Sequence, residues 1–185
     1  FYTNGLLGSR KSQTYSNFND FMYNLSYWSS WSNGFNIWKS EFDKIDKNLK
    51  LNKLFPHTSL FLTQHQAKLF CINDNLLFDV QRIPKRGGHN KFEAFTIEYP
   101  SLLDECCKKG HISTKCKKHI LFGIMVQFLP SLLFNKYIIR IETFDDTGFR
   151  NNLKKYYPSY AYWLVLISVL GVPFRLFCRK LKNKR

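Results

Sequence analysis

The nineteen residues from Tyr156 to Phe174 carry no charge, and the eleven that follow carry six Lys or Arg: Arg175, Arg179, Lys180, Lys182, Lys184 and Arg185. A chain with this ending either buries its last helix in protein or places it in a membrane. A bilayer core of about 30 Å takes roughly 20 mostly apolar residues as a helix, while a run of roughly 10–14 belongs more often to a soluble core. The flanks favour the membrane. Tyr160, Tyr162 and Trp163 cluster at one end, where amphipathic rings settle at the headgroup level, and the basic cluster follows the other end. Arg175 can snorkel, which extends the apolar segment to Cys178, and Gly171 and Pro173 are tolerated better in membrane helices than in soluble ones. The predicted anchor spans residues 156–178. Leu164, Leu166, Leu170 and Phe174 would lie in hydrocarbon, with Arg175, Arg179 and Lys180 toward anionic headgroups and a basic tail at 179–185.

A length of 185 residues fits one domain plus an appendage. The mean hydropathy of −0.31 confines any membrane content to part of the chain and excludes a polytopic transporter. With 28 Lys and Arg against 13 Asp and Glu, the formal charge is +15, which calls for anionic lipid, RNA or acidic partner subunits. A nucleic-acid binder interleaves stacking aromatics within its basic stripe, whereas the richest aromatic region here, Phe18–Trp38, is almost uncharged. Five cysteines, an odd number, exclude a fully paired disulfide scaffold and fit a reducing compartment or a metal site. An excess of Phe, Tyr, Asn and Lys with only three alanines follows AT-rich codons and points to an organellar or protist genome. The chain opens on Phe1, so targeting cannot be read.

The predicted architecture is α+β: a small β-rich domain with flanking helices and a C-terminal transmembrane helix. Residues 1–39 read as an irregular, aromatic-rich arm whose Trp28, Trp31 and Trp38 either dock on partner subunits or pack on their own domain. Residues 40–155 read as the α+β domain. Within it, Ser40 and Asp43 resemble a capping pair for a helix carrying Phe42, Ile45, Leu49 and Leu54 and ending at Pro56. Lys68–Ile72 and Leu76–Ile83 flank a polar turn as a predicted hairpin, and Phe95, Ile97 and Tyr99 alternate as in a strand. The apolar run Ile120–Phe134 is either a first membrane helix or, the reading preferred from Tyr137–Phe144, part of a pair of strands.

One stretch has the look of a metal site. Cys106, His111 and Cys116 are spaced C-x4-H-x4-C with Gly110 before the histidine, like the last three ligands of a zinc knuckle; Cys107 or His119 would supply the fourth donor. The first knuckle cysteine is replaced by Leu103. The alternative is a basic loop with unpaired thiols. His57, His65 and His89 have no nearby partner, and no nucleophile elbow, zinc-protease motif or phosphate-binding loop is present, so no enzyme activity is expected.

The segment GFRNNLKKYYPSYAYWLVLISVLGVPFRLF resembles the last membrane segment of the transmembrane protein 151 family, through Phe149-Arg150, Tyr162-Trp163 and Pro173-Phe174-Arg175. The resemblance covers about a sixth of the chain and implies residence in a membrane. The N-terminal membrane helices of that family have no counterpart here.

These features together predict a non-enzymatic, membrane-anchored accessory subunit of a larger membrane complex. Its partners would be other subunits and anionic lipid, no cofactor is expected unless zinc binds the cysteine loop, and composition points to a respiratory or ATP synthase assembly of the mitochondrial inner membrane. The alternative is a soluble, basic RNA-binding or ribosomal protein with a degenerate zinc-knuckle-like loop.

Overall fold

Phe92, Thr96, Tyr99, Leu103 and Cys106 recur at intervals of four and three, and all five are buried. Only a helix gathers such positions on one face. The stretch predicted as a strand is therefore helical in the computed structural model, which describes residues 1–77 and 90–183, with side chains through Cys178. Lys91–Glu93, a π-helical turn at Ala94–Glu98 and Tyr99–Lys108 follow one another without a break. The Asn90 side chain accepts from the Glu93 amide and fixes the start.

The same correction applies to the second apolar run. Thr114–Ile138 is one helix of 25 residues, not a pair of strands, and it too contains π-helical turns, at Ile124–Phe128 and Phe134–Ile138. Two of the three π-helical turns lie just before a proline, Pro100 and Pro130. A proline has no N–H and its ring crowds the carbonyl four residues back, so the ladder widens there.

The predicted β-rich domain reduces to a two-stranded sheet among the described residues. Ser12–Tyr15 pairs antiparallel with Phe70–Asn73, in the register Gln13↔Ile72 and Tyr15↔Phe70. The predicted hairpin thus keeps its first strand but pairs it with the N-terminal segment; most of its second strand falls in residues 78–89, outside the described residues, as does His89. The helix predicted from Ser40 shortens to Lys39–Phe42. Downstream, Asp46 accepts from the Asn48 amide, and Asn52 from those of Leu54 and Phe55, local bonds that compete with a helical ladder.

The chain forms two compact units. The first takes the described residues of Phe1–Gln81 together with Glu98–Ile120. Residues 1–39, expected as an irregular arm, supply much of its core: Phe18–Leu25 is a helix capped by Asn17, with Phe18, Phe21, Met22 and Leu25 buried. Rings of Phe18, Phe21, Phe61 and Phe70 meet at centroid separations of 5.1–6.3 Å, a geometry that adds edge and offset attraction to area burial. Two buried polar side chains, Tyr99 and Asp74, are paired. The Tyr99 hydroxyl meets Ser29 Oγ at 2.5 Å. Asp74, fully buried, accepts from Thr3 Oγ1 and from the amides of Leu7, Ser9 and Arg10. Those donors hold a loop in which Asn4, Gly5, Gly8 and Arg10 all adopt positive φ. Burial works to raise the Asp74 carboxyl, but the converging donors prevail and hold it below the usual carboxylate range.

The second unit takes the described residues of Arg82–Ile97 together with Leu121–Arg185. Phe149–Tyr156, Ala161–Val169 and Val172–Asn183 are its C-terminal helices. Ala161–Val169 packs along Ile124–Leu133 of the long helix. Phe92 lies between Phe144 and Phe149, with centroids at 5.6 and 4.6 Å. Lys91 pairs with Glu142 at 2.9 Å and Lys136 with Asp146 at 2.8 Å.

Candidate membrane-docking surface

In Ala161–Val169 the small and branched residues Ala161 and Val165 turn inward, and Val172 continues that face beyond the helix break. The large apolar residues turn outward. Trp163, Ile167, Leu170, Phe174 and Phe177 recur at intervals of four and three and are all exposed, from 58% at Trp163 to 80% at Leu170. Trp163 and Ile167 share a face of the helix before the break, Phe174 and Phe177 share one after it, and Leu170 lies at the break; large exposed apolar groups gathered in this way mark membrane or protein contact. Tyr160, at the start of the row, is also exposed, while Leu164 and Leu166 are half-buried. The side chains of Arg179 and Lys180 lie outside the described residues. Sequence reading picked out Leu170 and Phe174 but not Ile167 or Phe177; their spacing from Trp163 was the signal that could have found them.

The segment predicted as one anchor helix is broken. Ala161–Val169 and Val172–Cys178 meet at a bend of 53°. Gly171 and Pro173 explain the break: glycine is a weak helix former, and Pro173 can offer no N–H to the carbonyl of Val169. Among the described residues, Thr114–Ile138 is the only unbroken helix long and apolar enough to cross a membrane, and 56% of its apolar window is buried within the protein.

Arg175 holds the bend. Its guanidinium donates to the backbone carbonyl of Val126 and, at 3.4 Å, to that of Ser168. Val126 is four residues before Pro130, so its carbonyl lacks the i+4 amide that an ordinary helix would provide. The arginine supplies a donor where the proline removed one. Near the start of the same segment, the Arg150 guanidinium lies 5.2 Å from the Tyr162 ring centroid and 6.0 Å from that of Trp163, within cation–π reach.

The zinc-knuckle residues go to different neighbours. His111 meets His65 edge-on, with ring centroids at 3.5 Å; His119 stacks on Tyr23 at 3.9 Å; the Cys116 sulphur lies 3.6 Å from the Asn19 carbonyl. Cys106 is buried, and burial pushes its thiol up to about 12, which disfavours the thiolate that a metal needs. Among the described residues, no group of three or more His, Cys, Asp or Glu is placed to hold a metal ion. His57 and His65 each meet a backbone carbonyl, of Ser30 and Leu62. Of the three tryptophans expected to dock partners, Trp28 and Trp31 are half-buried and meet edge-on at 6.1 Å. Trp38 is 82% exposed and lines a cleft of about 500 Å³ with Phe21, Phe35, Phe61 and Phe70.

No protein-family model, curated protein or solved structure matches the chain.

Proposed function

We propose that the protein is a non-enzymatic accessory subunit, held at a membrane by its second unit and acting through contacts within a larger membrane complex. The observation that carries this reading is the exposed apolar row from Trp163 to Phe177 beside a basic C-terminus. Water is a poor neighbour for five such side chains, and each fully covered one contributes about 1.5–3 kcal/mol. Lys and Arg near an anionic surface add about 1 kcal/mol each. The first unit, with its aromatic core and the exposed Trp38, is the part that would meet other subunits. Composition favours a respiratory or ATP synthase assembly of the mitochondrial inner membrane.

Carbonate extraction followed by detergent tests the reading. The protein should stay with membranes through high salt and alkaline carbonate and leave only with detergent. Release by salt alone, together with RNA, would instead support a soluble RNA-binding protein, because phosphate contacts weaken steeply as salt rises.

A further inference from the structure

We infer that the C-terminal segment enters only one leaflet of an anionic membrane and does not cross it. This deepens the anchoring reading and depends on it. Ala161–Val169 has nine residues, about 14 Å of helix at roughly 1.5 Å per residue, or about half of a 30 Å hydrocarbon core. At Leu170–Gly171 the chain then turns by 53°, so the following helix runs obliquely instead of extending the first.

The turn is fastened. Straightening the two helices would pull Arg175 from the Val126 and Ser168 carbonyls. It would take from the Val126 carbonyl the donor that Arg175 supplies in place of the missing Pro130 N–H, and carry a guanidinium toward hydrocarbon, which is costly on both counts. Val172–Asn183 also has the sequence of a surface helix. Arg179 and Lys182 are spaced at three, as are Phe174 and Phe177, and Leu181 follows four residues after Phe177. A basic face against an apolar face is the pattern of a helix lying in the plane of the headgroups. The exposed row from Trp163 to Phe177 gives that insertion its apolar side, and the cationic residues select acidic lipid. The long helix Thr114–Ile138 is fixed near its start by the Lys117–Asp104 pair at 2.7 Å, and its largely buried face suits a protein scaffold better than a second crossing.

Topology decides the matter. The full chain, carrying protease-cleavable epitope tags at the N-terminus, within the loop 145–148 and at the C-terminus, is made by cell-free synthesis beside preformed sealed vesicles of phosphatidylcholine alone or of phosphatidylcholine mixed with anionic phosphatidylglycerol. One-leaflet insertion predicts flotation at least about tenfold stronger with the acidic vesicles, and all three tags cleaved by protease added outside. A protected C-terminal tag with an accessible N-terminal tag, meaning one crossing, would overturn the inference and leave the anchoring reading intact. A protected loop tag with both termini accessible, meaning two crossings, would do the same. Equal flotation with both lipids would overturn the anionic selectivity, and no flotation with either would overturn the anchoring reading as well.

Discussion

The two units handle the same aromatic-rich composition in opposite ways. In the first, phenylalanines face one another inside and polar groups are tied off: Asp74 by Thr3, Leu7, Ser9 and Arg10, and Tyr99 by Ser29. In the second, the buried face of the C-terminal helices is built from Ala161, Val165 and Val172, and the bulky residues point outward. An apolar side chain in water is unfavourable wherever it sits, and both units leave some exposed, Trp38 and Leu69 in the first among them; the contrast teaches that in the second they recur along one terminal segment, Trp163 to Phe177. It also locates function: the surface that folding leaves uncovered is the surface that remains for binding.

Substitutions can break this contrast or sharpen it. The largest effect is expected at Phe92, where Ala would leave a cavity between Phe144 and Phe149 and lower stability by about 3–5 kcal/mol, measured by denaturant unfolding. Its size would show that the second unit has a real core beneath its apolar surface. Asp74→Ala should cost roughly 3 kcal/mol, because it strands donors that converge on a buried carboxylate; limited proteolysis of residues 1–12 should accelerate with it. Leu170→Ser should leave unfolding within about 0.5 kcal/mol and weaken vesicle binding by about 2 kcal/mol, roughly thirtyfold, read by flotation. A large loss of fold stability at Leu170 would mean that this row belongs to a core, and the contrast would collapse.

The smallest effect is a pH dependence confined to acid. The Asp104 carboxyl is held low by Lys117 and then Lys108. Asp146 is held low by Lys136 and Tyr137 despite burial, and Asp74 by its own donors despite burial. A carboxyl with a depressed folded pKa stabilises the fold above its unfolded value of about 3.9, and that contribution is lost as pH falls through the folded pKa. Unfolding midpoints should therefore begin to decline as pH falls below about 6.5, where His111 and His119, held low by burial, take up protons more readily in the unfolded chain, and decline further below about pH 4 as the carboxylates are protonated. Asp74→Asn should flatten part of that fall, and a midpoint still dropping as steeply in Asp74→Asn would remove Asp74 from the account.

How much of this was legible in the sequence differs by segment. The helical character of Phe92–Cys106 was written in the intervals of its buried residues, but the shorter stretch Phe95–Ile97–Tyr99 alternates as well as any strand, and a window of five residues cannot separate the two periods. The strand at Phe70–Asn73 was readable locally, while its partner was not: pairing with Ser12–Tyr15 joins residues far apart in the chain, and nothing in either segment names the other. The cysteine–histidine loop was open to two readings, and spacing could not choose between them: Cys106 and Cys116 are drawn into an apolar core and His111 and His119 meet rings of their own.

The sequence by itself determined that the chain would end in an uncharged stretch followed by a basic one, and that a glycine and a proline would interrupt that stretch. Composition and backbone chemistry are local properties. Only the tertiary structure decided which side of that segment would face outward and what its arginine would do. Arg175 finds its acceptor at Val126, 49 residues earlier, where another proline removed the usual donor. A hydrogen bond between two distant irregularities exists only once packing has brought both helices together.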